Sequence, residues 1–161
     1  KIPFHQLPCL VVDNVSIAQT GGISRYCGKL AKLYPENNNI EAALIDQFID
    51  IATDITEMAS KTKAEDRNDI FIESLKRKLS ILNNSIQSQN NYLVNDKFSI
   101  ADIAIWRMIG WLISGNLDGI PSDILKNYKN ISKICLSTES HPKVNEWINK
   151  TYPKTYIKGN F

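Results

Sequence analysis

Residues 6–26, QLPCLVVDNVSIAQTGGISRY, place a proline, two short apolar runs and a glycine-marked helix start in one stretch. Cys9 to Val12 is rich in strand formers, Asp13-Asn14 supplies a two-residue turn, and Val15 to Ala18 resumes the extended pattern, which predicts a tight hairpin. Ile23, Tyr26, Cys27, Leu30 and Leu33 then recur at helical spacing, with Thr20 placed to cap the first turn. A residue before proline is pushed toward extended geometry, and a cis Leu7-Pro8 bond at the strand entry turns the backbone groups of Leu7 outward, where they can grip a peptide. The hairpin returns Gln19-Thr20 to the side of Leu7, at a helix N-terminus whose free N–H groups and dipole favour a carboxylate. Gly21 and Gly22 leave room for close approach. Together these residues predict a site for a small extended peptide, held by its backbone and a carboxylate.

Beyond this stretch the chain changes character. Tyr34-Pro35-Glu36-Asn37-Asn38-Asn39 reads as a break, with residues 35–39 linking a β-hairpin-plus-helix segment (1–34) to an all-helical one (40–161). Ile40, Ala43, Leu44, Phe48, Ile51, Ala52, Ile55 and Ala59 form one apolar stripe, and Phe71, Leu75, Leu79, Leu82 and Ile86 another, so two long amphipathic helices are expected to pack together. Ser99-Ile100-Ala101-Asp102 is a capping-box pattern that makes Asp102 structural and opens a helix through Ile113. Gly115 to Pro121 breaks the chain, Ile131 to Leu136 continues it, and Pro142 stands where a final helix through Ile148 begins.

Composition narrows the function classes. The 161 residues carry 19 Lys and Arg against 17 Asp and Glu, a formal charge of +2, with the lysines scattered among acids, so no nucleic-acid footprint is expected. The run Ile100 to Ile113 is interrupted by Asp102 and Arg107 and is shorter than the roughly 20 apolar residues that span a bilayer, which predicts a core helix and no membrane partner. Three cysteines, Cys9, Cys27 and Cys135, show neither metal nor disulfide spacing and read as free thiols of a reducing compartment, the cytoplasm by default. The Asn-X-Ser/Thr triplets at Asn14, Asn83, Asn130 and Asn149 are common by chance in an asparagine-rich chain. His5 and His141 lack partners at ligand spacing, so no metal is expected. The chain opens on Lys1 without a Met or a charged-then-apolar leader, and further sequence is expected upstream.

Gln6-Leu7-Pro8, the strand to Asp13, and Gln19-Thr20-Gly21-Gly22-Ile23-Ser24-Arg25-Tyr26 resemble the second half of the thioredoxin-like domain of cytosolic glutathione transferases. The family's pattern there reads Gln-Val/Leu-Pro, then Gln-Ser-X-Ala-Ile-X-Arg-Tyr. The helical remainder, with its Ser99–Asp102 capping box, is similar to the family's C-terminal domain, so the resemblance covers nearly the whole chain. The Tyr34-Pro35 link and the helix bearing Asp46, Asp50 and Asp54 are similar to the sigma, mu and related protist groups.

The resemblance implies a mainly α fold: part of a thioredoxin-like domain (1–34), a linker, and an all-helical C-terminal domain (40–161). It implies that Leu7 pairs its backbone with the cysteinyl part of glutathione, that Pro8 is the family's cis-proline, that Gln19 and Thr20 bind the γ-glutamyl carboxylate and that Gln6 lies near the glycine end. Asp54 matches an acid that reaches glutathione bound in the partner subunit, implying a homodimer. The implied activity is conjugation of the glutathione thiolate to small apolar electrophiles, glutathione serving as co-substrate. Thr20 stands for the usual serine and Gly22 for alanine. The first strand, first helix and second strand of the family, with the tyrosine or serine that stabilises the thiolate, are expected upstream of Lys1. Tyr26, Tyr34, Tyr92, Tyr128, Tyr152 and Tyr156 all fall outside that motif, so no residue of this chain is assigned as catalytic.

Blander readings compete with several of these. Thr20 serves equally as a plain helix cap, Asp46, Asp50 and Asp54 as a solvated face, and Trp106, Trp111 and Trp147 as packing residues. At the level of function the competitor is a non-catalytic glutathione-transferase-like module that docks protein partners or carries ligands. Retention of Gln19-Thr20 argues against it, because docking has no need of a carboxylate site.

Overall fold

Asp13 and Asn14 adopt left-handed φ values of 48° and 64°, the geometry of a two-residue hairpin turn whose twist matches that of the flanking strands. They join β1 (Cys9–Val12) to β2 (Val15–Ala18) in an antiparallel pair running from Cys9 opposite Ala18 to Val12 opposite Val15. The computed structural model describes residues 2–152 and 161; Lys1 and Tyr156 lie outside the described residues. Among the described residues the hairpin is followed by α1 (Thr20–Leu30), α2 (Asn39–Lys61), α3 (Asp69–Ser85), α4 (Ile100–Leu112), α5 (Lys129–Ser140) and α6 (Pro142–Thr151). The fold is thus mainly α, a hairpin and helix followed by a helical bundle.

Helix ends follow from local chemistry. The Asn38 side chain caps α2 through the Glu41 amide at 3.0 Å, and Asn68 caps α3 through the amides of Ile70 and Phe71. Pro142 occupies the first turn of α6, where its missing N–H costs nothing. The C-terminus of α1 closes through Lys32 at φ 57°: the Lys32 amide donates to the Lys29 carbonyl and the Leu33 amide to that of Gly28 at 2.8 Å. This paired pattern satisfies two carbonyls that the helix end would otherwise leave open.

Helix α4 is the centre. Its buried residues, among them Ile100, Ala101, Asp102, Ile105, Trp106, Met108, Ile109 and Leu112, cover most of its circumference and leave the stripe of Ile103, exposed Arg107 and Trp111 facing outward. Both α2 and α5 pack on it. The expected pairing of the two long helices is therefore corrected: the principal neighbour of α2 is α4 and that of α3 is α5. The α2 stripe is corrected as well. Ile45, Phe48, Ile49, Ala52, Ile55 and Ala59 are buried, whereas Ile40, Ala43 and Leu44 are exposed, because α4 covers only the face that carries Ile45 and Ile49. Trp106 is core, while Trp147 is 46% exposed and meets Tyr152 edge to face at 4.9 Å.

The start of α4 rests on one carboxylate. Asp102, fully buried, accepts from the Leu93 amide at 2.8 Å through Oδ1, and from the Ser99 amide at 2.8 Å and hydroxyl at 3.0 Å through Oδ2. Ser99 in turn accepts from the Ala101 amide. Burial pushes the Asp102 carboxyl above its ordinary value, and the donors from Leu93 and Ser99 pull against that shift. Beside this cap the Ile100 amide donates to the Leu33 carbonyl at 3.1 Å. A Cβ at Gly28 would lie 2.7 Å from Ile100 Cγ2 and 3.2 Å from Tyr34 Cβ, so only glycine lets α1 come this close to α4.

Two predictions follow from this junction. Gly28→Ala forces Ile100 or Tyr34 to move and is expected to cost about 1–3 kcal/mol in urea denaturation. Asp102→Asn sets an amide donor against buried donors and is expected to cost about 1–3 kcal/mol. Because the folded-state value of Asp102 lies above the unfolded one, its contribution is full below about pH 4 and is lost as pH rises through the folded value. The stability gap between native protein and Asp102→Asn should accordingly narrow as pH rises above about 4; a gap that widens contradicts the assignment.

Candidate functional site

The β-turn at Asp13-Asn14 folds the chain back on itself, and the two glutamines flanking the hairpin meet: Gln19 Nε2 donates to Gln6 Oε1 at 2.8 Å. Both are exposed, as are Leu7 and Thr20, with Leu7 at 79%. The Leu7-Pro8 bond is cis. Neither the amide nor the carbonyl of Leu7 takes part in a hydrogen bond with the described residues. One surface therefore presents an unsatisfied backbone pair at Leu7, two carboxamides and the N-terminus of α1, a donor-rich setting for an extended peptide carrying a carboxylate.

Gln19 is the strained member. It stands at φ 71°, ψ 123°, a region that non-glycine residues avoid and that costs on the order of 1–3 kcal/mol. The expected capping role of Thr20 is corrected here. The N-cap of α1 is Gln19, which makes no side-chain cap, and Thr20 is the first helical residue, its hydroxyl unengaged by the described residues. The amides at this helix end are thus left without a side-chain acceptor of their own. The room expected at Gly21 is also filled from within: a Cβ there would lie 2.8 Å from Arg25 Nη1, whereas nothing approaches Gly22 within 4 Å.

Arg25, which the sequence offers only as one member of the motif over residues 19–26, fixes the orientation of α1. Its Nε donates to Asp46 Oδ1 at 2.6 Å and its Nη2 to Asp50 Oδ1 at 3.0 Å, while the Tyr34 hydroxyl reaches both oxygens of Asp46 at 3.0 Å. Burial works against the guanidinium charge, but the bonds to Asp46 and Asp50 outweigh it and hold the Arg25 pKa above its ordinary value. Burial, then the bond to Asp46, raises that of Tyr34. Asp46 is therefore more than part of a solvated face; with the exposed Asp50 it clamps α1 to α2. The only signal in the sequence was the i, i+4 spacing of the two acids, whose basic partner lies far back along the chain. Asp54 is exposed one turn further along α2, apart from the cluster around Gln6, Leu7 and Gln19.

Other chemistry-bearing groups stand elsewhere. Cys135 is buried and its thiol is pushed far up by burial, which makes it inert as a nucleophile, whereas Cys27 is exposed on α1. His141 stacks on Phe98 with ring centroids 3.9 Å apart. Among the described residues no group of three or more His, Cys, Asp or Glu is arranged to hold a metal, and no helix is long and apolar enough to cross a membrane.

Residues 45–151 match the family model for the glutathione S-transferase C-terminal domain. A probable glutathione S-transferase 9 from Caenorhabditis elegans is 30% identical over 159 residues, covering 92% of this chain and 75% of that protein. The hematopoietic prostaglandin D synthase of Homo sapiens is 27% identical over 159 residues, covering 97% of this chain and 77% of that one. A crystal structure of monomeric Na-GST-3, a glutathione S-transferase from the hookworm Necator americanus, shares the fold with a TM-score of 0.79 at 21% identity, over 96% of this chain and 78% of that one. With residues 45–151, more than half of the chain, matched to the family's C-terminal domain, this chain belongs to the glutathione S-transferase family.

Proposed function

We propose that this chain belongs to a glutathione transferase that conjugates the thiolate of reduced glutathione to small apolar electrophiles, and that residues 1–34 supply part of its glutathione site while residues 35–39 link that part to the helical segment 40–161. The observation that carries the reading is the meeting of Gln6 and Gln19 beside the open backbone pair of Leu7 and the start of α1. In this reading Leu7 pairs its amide and carbonyl with the cysteinyl unit, next to cis-Pro8. Gln19 and Thr20 hold the γ-glutamyl carboxylate with the first amides of α1, and Gln6 lies toward the glycine end. The strain at Gln19 fits such a role, since strained backbone gathers where a ligand is gripped.

Binding and chemistry are then supplied by different segments. The chain orients glutathione, while the hydroxyl that favours its thiolate is expected from sequence upstream of Lys1, because no tyrosine here stands in the required context. We place the protein in the cytoplasm, in keeping with its free cysteines. A homodimer is proposed as well, supported by exposed apolar residues on three successive helices, Leu30 at 70%, Ile40 at 76% and Ile81 at 61%. Asp54 then reaches the γ-glutamyl amine of glutathione bound to the partner. The same exposed residues are what favours the second reading, a module that keeps the fold for docking and does no conjugation.

Calorimetric titration of glutathione, paired with turnover of a generic electrophile, separates the two. Gln19→Ala and Thr20→Ala are each expected to weaken binding by about 1–3 kcal/mol, the range for a hydrogen bond to a charged group, with the helical circular dichroism unchanged. Unaltered affinity in both removes the carboxylate site, and tight binding without turnover selects the module. For the dimer, sedimentation should give twice the monomer mass, and Asp54→Ala should weaken glutathione binding. A monomer at micromolar concentration sinks the role given to Asp54.

A further inference from the structure

A second concavity lies at the opposite pole of the sequence, and none of its lining residues comes from the hairpin, α1 or α2. It has a volume of about 640 Å³, within the range that takes a small organic molecule. Its wall is a stripe of α5, Lys129, Ser132, Lys133, Leu136 and Ser137, faced by Lys126 and Asp123 from the preceding loop. Buried Leu125, half-exposed Leu136 and Phe161 give it an apolar side. We propose that this cleft binds a small phosphomonoester whose phosphate is carried on an aromatic or aliphatic body.

The charge pattern sets the ligand class. Among the lining side chains three ammonium groups face one carboxylate, a local excess equal to the formal side-chain charge of +2 on the chain. Lys126 and Lys129 have no ion-pair partner among the described residues. Lys133 is held in place by the carbonyls of Ser88 at 3.0 Å and Gln89 at 3.1 Å, neutral partners that orient its ammonium without cancelling its charge. Nothing acidic stands in the first turn of α5, whose Asn130 and Ile131 amides are taken by the neutral Asn83 Oδ1 at 3.0 and 3.3 Å, so the anion is held by the lysines and not by the helix end. A phosphate dianion matches an excess of two charges better than a carboxylate does. The hydroxyls of Ser132 and Ser137, both in the wall of the cleft, can donate to its remaining oxygens. The apolar side then selects against inorganic phosphate in favour of a molecule with a hydrophobic body.

Titration of 1-naphthyl phosphate into the protein at low salt, read by calorimetry and by amide shifts in nitrogen-15 spectra, tests this. Saturable binding is expected, with shifts centred on residues 122–137 and affinity at least about tenfold above that for either 1-naphthol or inorganic phosphate. The double variant Lys126→Gln/Lys129→Gln should lose about tenfold or more while keeping its helical circular dichroism and its glutathione affinity. No saturation, shifts confined to residues 6–26, inorganic phosphate binding as tightly as the ester, or a double variant that binds like the native protein would each overturn the proposal. Glutathione binding is read in the same samples, so failure here is separable from failure of the transferase reading.

Discussion

The carboxylate of Asp102 is the constraint on which the molecule depends. A helix start buried in a core exposes amides that water cannot reach, and each would cost on the order of 1–3 kcal/mol if left unpaired. Asp102 answers for two amides and a hydroxyl at once, one of them the Leu93 amide from the incoming loop. That allows α4 to begin inside the protein and to be buried over most of its circumference, with Arg107 on its outer side. Because so much of α4 is apolar, α2 and α5 can both pack on it, and Gly28 lets α1 close on its first residue, Ile100. The cost of burying this group shows in the upward shift of its pKa, which the hydrogen bonds from Leu93 and Ser99 offset only in part.

The same junction reaches the candidate site through α1. That helix is fastened at its C-terminal end by Gly28 on Ile100 and by the Ile100 amide on Leu33, and along its length by Arg25 on Asp46 and Asp50. Arg25 is only partly exposed, and its pair with Asp46 is shorter and better sheltered than that with Asp50, whose side chain is 70% exposed. Screening by solvent therefore leaves the Asp46 contact as the stronger of the two. A helix held at one end and along its side has little freedom at the other. That rigidity is what a residue strained like Gln19 needs, since a non-glycine φ of 71° persists only where the surroundings over-determine it.

How far the letters carried the fold depended on the range of each interaction. The hairpin, the Pro142 start and the capping-box spacing are set within four residues, so the pattern shows them. Arg25 with Asp46 spans 21 positions and joins two helices; neither residue alone differs from a solvated surface charge. The α2 stripe failed at Ile40, Ala43 and Leu44 for a related reason. Periodicity identifies an apolar face but not which half of it a neighbour covers, and α4 reaches Ile45 and Ile49 instead. Thr20 was misplaced by a single residue, which is enough to turn a helix cap into an exposed side chain.

That one-residue shift bears on what the site can hold. A hydroxyl that capped its own helix would occupy the first-turn amides and reduce their pull on a ligand. With Gln19 at the N-cap making no such bond, and Thr20 pointing its hydroxyl at no described residue, the acceptor for that helix end is left to come from outside. Four helices meet the same need with a side chain: Asn38 caps α2, Asn68 caps α3, Ser99 with Asp102 caps α4, and Asn83 takes the Asn130 and Ile131 amides of α5. Helix α1, like α6, has no side-chain acceptor at its start, and its start is the end where Gln6 and Gln19 converge and the Leu7 backbone stands open. A helix start that gives up its own cap beside unpaired backbone groups gains most from an anionic, peptide-like ligand, which can satisfy both at once.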